Sequence, residues 1–527
     1  MNHQDPRVLT SQMGRLTGNV TVRPTEGEEE DRNQEHFKTD HLLTNLRRRT
    51  ISSVAVTMSA QAVKFALSLA SIVILARLLT PRDFGLVAMV TTVTGFLLVF
   101  KEAGLSIATV QRESITHAQV SNLFWINIGI SFLSSLVVAA SAPLIARFYH
   151  DDRLVRITLF LSTTFLLSGS TIQHQALLKR QMRFKAIALI EISSMAVGVF
   201  VAVLMALLRY GYWSLVGSTL SMETTGLLLT WSVSQWRPGL PSRRSGIGPL
   251  LGFGAHLTLS SLIFYLARGT DNVLIGRFYG ARGLGLYSRA GALLMRPIEQ
   301  FLGPINAVFV PALSRLQSQP ERYRTTFLRL YEAVALAGFV FTGLFLALSR
   351  PVTLVLLGHK WENAAAIFGG FTIAALSVPL AGASTWLFTS QGRGRDMLTA
   401  GSINSLVTVL SFIAGLPFGP IGVAMAFSIS GPLVRLPILY FIVGRRGPVR
   451  TIDLWVVFFR HVPVWIAVFC GTWLALTQVK NLVPVAQVLI CAPVGLLTAV
   501  AYICVFSSQR QVAIHLLETV RCLKRNP

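Results

Sequence analysis

The chain has 527 residues, of which 52% are hydrophobic and only 13% are charged, with a mean hydropathy of +0.57. Its formal net charge of +24 would suggest nucleic-acid binding in a soluble protein, but here Lys and Arg crowd into loops between apolar runs, where they set membrane topology. Runs of about 18 or more apolar residues recur, each long enough to cross a bilayer as a helix, whereas barrel strands alternate over about ten residues. The composition therefore argues against several soluble domains, a nucleic-acid-binding protein and a β-barrel, and predicts an all-α polytopic membrane protein.

In chain order, the apolar runs and the residues that interrupt them predict about fourteen transmembrane helices. A polar tail at residues 1–50, with an acidic patch at 26–31, precedes them and is expected to be disordered in the cytoplasm. Residues 507–527 form a basic cytoplasmic tail. The predicted spans are 52–77, 84–103, 118–145, 154–176, 185–208, 212–235, 250–278, 283–313, 327–349, 362–390, 396–416, 419–443, 454–477 and 482–506.

An internal repeat groups these helices. Residues 76–87 (ARLLTPRDFGLV) align without a gap with residues 276–287 (GRFYGARGLGLY), and both copies fall at the outer turn between the first and second helices of a unit. Because six is even, two six-helix units keep the same orientation, and a substrate is expected between such parallel halves. The predicted domains are a six-helix bundle at 51–235, a cytoplasmic linker at 236–249, a second six-helix bundle at 250–443 and two additional helices at 444–506.

Basic loops predict the orientation in the membrane. Arg47, Arg48 and Arg49 precede the first helix, and every second connection after it is basic. Positive residues are enriched in the cytoplasmic loops of membrane proteins, so both termini are predicted to lie in the cytoplasm, which requires an even number of helices. The basic connections are 177–185, 236–244, 315–329, 393–395 and 445–450.

Cysteine spacing and loop length limit the possible chemistry. The four cysteines, Cys470, Cys491, Cys504 and Cys522, form no CxxC pair and no Cys/His ligand set, so the sequence predicts no metal site, no disulfide framework and no cofactor. The outer connections are all short, whereas a membrane polymerase or ligase needs a long outer loop that carries catalytic residues. We therefore expect that the protein is not an enzyme.

Several strings resemble one family of membrane proteins. They look like Wzx-type polysaccharide flippases, which belong to the multidrug/oligosaccharidyl-lipid/polysaccharide exporter superfamily, and they are most similar to its colanic-acid-exporter-like branch. The resemblance covers about residues 45–510 and departs from the family at Gly269–Thr270, where Asn often precedes the DN pair. In the family's order, the strings are ARLLTPRDFGLVAMV (76–90), GLSIATVQR (104–112), ITHAQVSNLFWINI (115–128), LLKRQMRF (177–184), DNVLIGRFYGARGLGLYSRA (271–290), FVPALSRLQ (309–317) and LLGHKWENAAAIF (356–368).

This resemblance implies a fold and an activity. The implied fold is two six-helix bundles that form a V around a central cavity in the bacterial inner membrane. The implied activity is transfer of an undecaprenyl-pyrophosphate-linked oligosaccharide from the cytoplasmic to the periplasmic leaflet, with membrane lipids, a coupling ion (H⁺ or Na⁺) and polysaccharide polymerase or export machinery as expected partners. Two alternatives stay open: a peptidoglycan lipid-precursor flippase, and an ion-coupled multidrug antiporter of the same superfamily, which a net basic cavity disfavours.

Five ionisable residues stand in apolar surroundings in one stretch: Arg268, Asp271, Arg289, Arg296 and Glu299. Such groups at bilayer depth are costly and normally face a protein interior or a wet cavity, and Arg suits phosphate through its planar paired donors. Ion pairs between Arg268 and Asp271, and between Arg296 and Glu299, three residues apart on a helix, are the structural alternative.

The spacing within this stretch selects the substrate-binding candidates. Arg289, Arg296 and Gln300 share one face of a helix, and Pro297 is expected to kink that helix. At the repeat offset of 200 residues the five ionisable groups correspond to uncharged residues, so the charges are particular to the second half. We predict that Arg289, Arg296 and Gln300 bind the substrate, together with Arg268 and Asp271.

The first half contributes a smaller set. Gln61 and Lys64 lie three residues apart near the centre of the first helix and are predicted to face the cavity, with snorkelling of Lys64 as the alternative. Glu191, Glu223 and Glu299 are candidates for a coupling site for a proton or a sodium ion, because intramembrane carboxylates are typical of such sites. The alternative is that these carboxylates pair with Lys64 or another cation.

Overall fold

The computed structural model describes residues 46–101, 106, 109, 110, 112, 115–242, 248–506 and 510, and in this part the chain is helical without β-strands. The helices of the first half alternate with short connections. They are α1 (Leu46–Leu78), α2 (Pro81–Lys101), α3 (His117–Tyr149), α4 (Arg153–Gly169), α5 (Ile172–Arg180), α6 (Phe184–Leu207) and α7 (Trp213–Ser234).

The second half and the C-terminal part continue this arrangement. A π-helical turn at Gly431–Arg435 joins α14 to α15. The helices are α8 (Gly248–Ser314), α9 (Pro320–Ala347), α10 (Ser349–Leu357), α11 (Glu362–Thr372), α12 (Val378–Ser390), α13 (Gly394–Gly415), α14 (Gly419–Ser430), α15 (Leu436–Gly444), α16 (Thr451–Gln478) and α17 (Pro484–Val505).

These helices confirm the predicted all-α polytopic fold of two six-helix units and two further helices. The pairs α4/α5, α11/α12 and α14/α15 form one crossing each, α8 forms two and the short α10 forms none, so the described helices give 14 crossings. Nine stretches of the described residues are long and apolar enough to cross a membrane. Some predicted spans are broken rather than continuous. The predicted span 154–176 is divided between α4 and α5, and the predicted span 362–390 is divided between α11 and α12.

The long helix α8 contains two crossings. Gly280, with φ 65° and ψ −174°, separates them, and glycine adopts this backbone conformation without the steric penalty of a side chain. The backbone stays helical through Pro297, so α8 is not broken there, and the kink expected at this residue stays a prediction. The first copy of the repeat turns differently: Thr80 and Asp83 form reciprocal side-chain and backbone hydrogen bonds that cap the start of α2.

Alternate connections place the loops at two ends of the molecule. We call one the basic end, which holds the connections α5/α6, α7/α8, α8/α9, α12/α13 and α15/α16. The other is the short-turn end, which holds the connections α1/α2, α3/α4, α6/α7, α10/α11, α13/α14 and α16/α17 and the break at Gly280.

The hydrophobic cores show how the two halves meet. At the short-turn end a single core joins both halves, from Leu86 in the first to Trp361 in the second. Toward the basic end the cores are separate, one around Tyr323 of the second half and one around Trp236 of the first. Membrane helices associate through close side-chain packing and interhelical hydrogen bonds, so a shared packed core holds the halves together chiefly at the short-turn end.

The two copies of the repeat contact each other at the short-turn end, which these contacts close. A β-carbon built on Gly85 would lie 1.6 Å from the carbonyl oxygen of Ala281, and one built on Gly285 would lie 1.8 Å from that of Pro81. Pro81 and Ala281 are themselves equivalent at the repeat offset, so the contact is reciprocal. Only glycine permits so close a backbone approach, and the repeat is thus an inter-half contact as well as a turn.

Candidate functional site

Helix α1 and the second crossing of α8 meet across the boundary between the halves. The Gln61 amide nitrogen donates to the Gln300 side-chain oxygen over 2.7 Å, and the Arg296 guanidinium donates to the Ser68 hydroxyl over 2.7 Å. Gln61, Lys64 and Ser68 are spaced to lie on one face of α1. We call the set Gln61, Lys64, Ser68, Arg296 and Gln300 the seam. Four of these are predicted substrate-binding residues, and Ser68 is an addition.

Lys64 lies along α1 between the two hydrogen bonds that cross the seam. Its ammonium group forms an ion pair with the Glu191 carboxylate of α6, with an N–O distance of 2.6 Å. The Lys64 side chain is 28% exposed and that of Glu191 is 46% exposed, so other groups can reach the pair. The structure therefore shows the pairing that the sequence left as the alternative for Glu191, and a coupling role for this carboxylate stays a prediction.

Arg289 also points toward the first half, but nearer the short-turn end. Its guanidinium carbon lies 4.7 Å from the centroid of the Phe84 ring of α2, which is within range of a cation–π interaction. Its Nε atom is buried and has no hydrogen-bond partner among the described residues. Arg289 and Arg296 are therefore not side by side: one is enclosed at the closed end and the other is exposed at the seam.

A cavity of about 470 Å³ lies inside the second half. Two predicted residues, Asp271 and Glu299, line it, and Asp271 accepts a hydrogen bond of 2.9 Å from the Tyr287 hydroxyl. Arg435 also lines it, with its guanidinium carbon 4.1 Å from the centroid of the Phe427 ring. Asp271 and Glu299 thus belong to this internal cavity rather than to the seam.

The remaining predicted residues are less informative. The side chain of Arg268 lies outside the described part of α8, and Glu223 is half-buried on α7. Two residues were missed from the sequence. Arg435 carried a usable signal, since it is a charge within the apolar span 419–443. Ser68 carried none, because a single Ser in an apolar helix is unremarkable until its partner is known.

The short-turn end is closed by polar contacts as well as by the shared core. The Trp361 indole N–H donates to the Ala76 carbonyl oxygen over 2.8 Å, and the Lys360 ammonium donates to the Arg77 carbonyl oxygen over 3.3 Å. Both carbonyls lie in the last turn of α1, where a helix has no intrahelical donors left. Residues of the second half therefore cap a helix of the first.

The seam is suited to an anionic, sugar-bearing ligand. Lys64 supplies a point charge and Arg296 supplies planar donors that match phosphate oxygens, while the amides of Gln61 and Gln300 both donate and accept hydrogen bonds, as sugar hydroxyls require. Within the described residues, no group of three or more His, Cys, Asp or Glu is placed to hold a metal ion. The chemistry that the seam offers is binding by charge and hydrogen bonds.

Known proteins resemble this chain in sequence and in fold. A family profile described as polysaccharide biosynthesis protein matches residues 74–366, more than half of the chain. The lipopolysaccharide biosynthesis protein WzxC of Escherichia coli (strain K12) is 24% identical over 432 residues, which cover 80% of this chain and 87% of WzxC. The teichuronic acid biosynthesis protein TuaB of Bacillus subtilis (strain 168) is 27% identical over 417 residues, covering 77% of this chain and 82% of TuaB.

A solved structure extends the likeness to the fold. The lipid II flippase MurJ, in an inward closed conformation, matches with a TM-score of 0.67 at 14% sequence identity, over 86% of this chain and 98% of MurJ. Sequence identity this low supports a common fold and says nothing further about the ligand.

Proposed function

The chain belongs to the polysaccharide biosynthesis protein family, and on that premise we propose that it is a flippase for a lipid-linked oligosaccharide repeat unit. Its substrate is an oligosaccharide on undecaprenyl pyrophosphate, which it moves from the cytoplasmic to the periplasmic leaflet of the bacterial inner membrane. The names of WzxC and TuaB support this proposal, since both proteins serve polysaccharide biosynthesis. They serve different polymers, so the proposal does not specify the glycan.

The observation that carries the proposal is the pair of cations at the seam. Lys64 and Arg296 belong to different halves, and the Arg296–Ser68 and Gln61–Gln300 hydrogen bonds hold those halves together at this point. A pyrophosphate bound to both cations would bridge the halves, so its binding energy can act on their relative position. The cationic seam also disfavours a carrier of cationic drugs.

The distribution of the cores supports alternating access. The halves share a core at the short-turn end and have separate cores toward the basic end, so the head group enters from the basic end in this state. The basic loops predict that this end faces the cytoplasm, and opening of the short-turn end would then release the substrate on the periplasmic side. The flipped unit passes to polymerase or export machinery in this scheme.

Ion coupling is a separate part of the proposal. Glu299 lines the internal cavity of the second half with Asp271, an arrangement that can take up a proton or Na⁺, since intramembrane carboxylates near a cavity are typical of coupling sites. Glu223 on α7 is the corresponding candidate in the first half. No step of the proposed chemistry makes or breaks a covalent bond, so the protein acts as a transporter and not as an enzyme.

Transport in reconstituted vesicles tests the proposal. We expect purified protein in proteoliposomes to move a fluorescent undecaprenyl-pyrophosphate oligosaccharide between leaflets, and we expect Arg296→Ala and Lys64→Ala each to slow this by about tenfold or more, because charge-assisted hydrogen bonds contribute about 1.5–3 kcal/mol. Arg282→Ala is the control, since this exposed residue of α8 lies at the short-turn end. Transport at the wild-type rate by both seam variants, or no transport by folded wild-type protein, would refute the proposal.

A further inference from the structure

The two cations of the seam have partners of different kinds. Arg296 donates to the neutral hydroxyl of Ser68, whereas Lys64 is paired with the carboxylate of Glu191. Arg296 therefore keeps its full charge for an incoming anion. The charge of Lys64 is instead balanced by a carboxylate, which occupies a position that an incoming anion would take.

The position of Glu191 makes that occupation reversible. Glu191 comes from α6 of the first half, so its pair with Lys64 does not itself join the two halves. The carboxylate is nearly half-exposed at 46%, and Lys64 is the more enclosed partner at 28%. Both side chains of the pair are therefore partly accessible, so another anion can compete with the carboxylate for Lys64.

We propose that Glu191 is a displaceable counter-anion: it neutralises Lys64 while the seam is empty, and the pyrophosphate of the substrate takes its place. This inference rests on the proposed function, because it specifies how the same site handles its substrate. When the substrate leaves, Glu191 pairs with Lys64 again, and the empty protein returns without an unpaired lysine at bilayer depth.

The chemistry of the competing anions favours exchange in both directions. Carboxylate and phosphate oxygens accept hydrogen bonds from the same ammonium donors, so one replaces the other without a new kind of contact. A pyrophosphate has several oxygens on two phosphorus atoms and can accept from more than one cation at a time, whereas the single carboxylate of Glu191 is paired with Lys64. Glu191 in turn is tethered to α6, so it is always present at high effective concentration when the substrate dissociates.

Binding of farnesyl pyrophosphate to the purified full-length protein in detergent tests the inference, with calorimetry as the measurement. This probe carries the pyrophosphate and an isoprenoid chain but no sugar. We expect Glu191→Gln to lower its Kd by about fivefold, in line with the loss of one partly exposed competing ion pair, and Lys64→Ala to raise it. In the Lys64→Ala background, Glu191→Gln is expected to have a much smaller effect, because the carboxylate then has no lysine to occupy and only its repulsion of the probe is removed.

Controls separate this mechanism from a structural role. Glu191→Ala should tighten binding as Glu191→Gln does, and thermal unfolding shows whether each variant is folded. Asp151→Asn removes another ion pair of the first half, with Arg153 at 2.6 Å, away from the seam, and should leave the Kd unchanged.

The possible outcomes distinguish the inference from the function on which it rests. If folded Glu191→Gln and Glu191→Ala proteins bind farnesyl pyrophosphate as weakly as the wild type or more weakly, Glu191 merely positions Lys64 and the inference is overturned. The proposed function would then survive, provided that Lys64→Ala still weakens binding. If folded wild-type protein binds no farnesyl pyrophosphate, the proposed function fails together with the inference.

Discussion

Two arginines of α8 lie in different environments and so have different expected roles. Arg296 is exposed at the seam and donates to Ser68 across it. Arg289 is enclosed at the closed end, stacked on Phe84 of the opposite half, with one donor that no described residue satisfies. Such an unsatisfied buried donor is costly, and opening of the short-turn end would expose it to a new partner. We therefore expect Arg296 to make the first contact with the pyrophosphate and Arg289 a later one.

Substitution of these two residues should separate binding from transport. We expect Arg289→Met, which keeps an unbranched side chain but removes the guanidinium group, to change the Kd for farnesyl pyrophosphate by less than about twofold and yet slow transport by about tenfold, the effect of losing one charge-assisted contact. Arg296→Ala should weaken binding as well. Calorimetry and the vesicle assay give the two quantities. Equal losses of binding affinity in both variants would show that Arg289 meets the ligand in the same state as Arg296.

The sequence predicted part of this site because charge is rare at bilayer depth. That rule singled out Lys64 and Arg296, and helical spacing associated Gln61 with Lys64 and Gln300 with Arg296. The hydrogen bond between Gln61 and Gln300 joins the two helices that carry these pairs. Helical spacing gives the face of a helix but not which neighbour covers that face. It therefore could not show that Asp271 and Glu299 line a cavity inside one bundle, or that Phe84 covers Arg289.

At the scale of helices, closure of the short-turn end depends on two helix backbones that contact each other directly, with no side chain between them. Gly85 and Gly285 each occupy a place where a β-carbon would overlap a carbonyl oxygen of the opposite half. The same end has α1 capped by Trp361 and Lys360 from the second half. These contacts are made only while the end is closed, so they stabilise this state against the open one.

Gly85→Ala should shift the protein toward opening at the short-turn end. In an isolated helix this change is favourable by about 0.5–1 kcal/mol, but overlap at a packed contact costs about 1–3 kcal/mol, and separation of the halves relieves it. Spin labels on Arg82→Cys and Arg282→Cys, both exposed, report the distance across this end once the native cysteines are replaced. We expect a longer-distance population in Gly85→Ala.

A matched glycine on α8 provides the control. A β-carbon at Gly303 would have no neighbour within 4 Å, so Gly303→Ala should leave the distance distribution unchanged. The same distribution in Gly85→Ala as in the wild type would mean that backbone contact between the repeats does not hold the end closed.

At the scale of the whole molecule, duplication explains why the fold was easier to predict than the site. The length of the apolar runs predicted the membrane-crossing helices. The repeat at 76–87 and 276–287 predicted that these helices are grouped in two parallel halves. The sequence of a repeat does not show whether its two copies touch. Their contact depends on the packing of α2 against α8, in which Pro81 of one copy meets Gly285 of the other, and on the single core that follows from it.

The halves share a core at the short-turn end and have separate cores toward the basic end. This difference predicts from which side of the membrane a reagent gains access to the seam. Glu191→Cys replaces a side chain that is 46% exposed beside the seam, and the basic loops predict that the basic end faces the cytoplasm. In a background without native cysteines, we expect a membrane-impermeant maleimide to label this cysteine in inside-out vesicles and not in intact spheroplasts. Arg282→Cys at the short-turn end should show the reverse pattern. Labelling of Glu191→Cys from the periplasmic side alone would contradict the orientation, and equal labelling from both sides would contradict closure of the short-turn end.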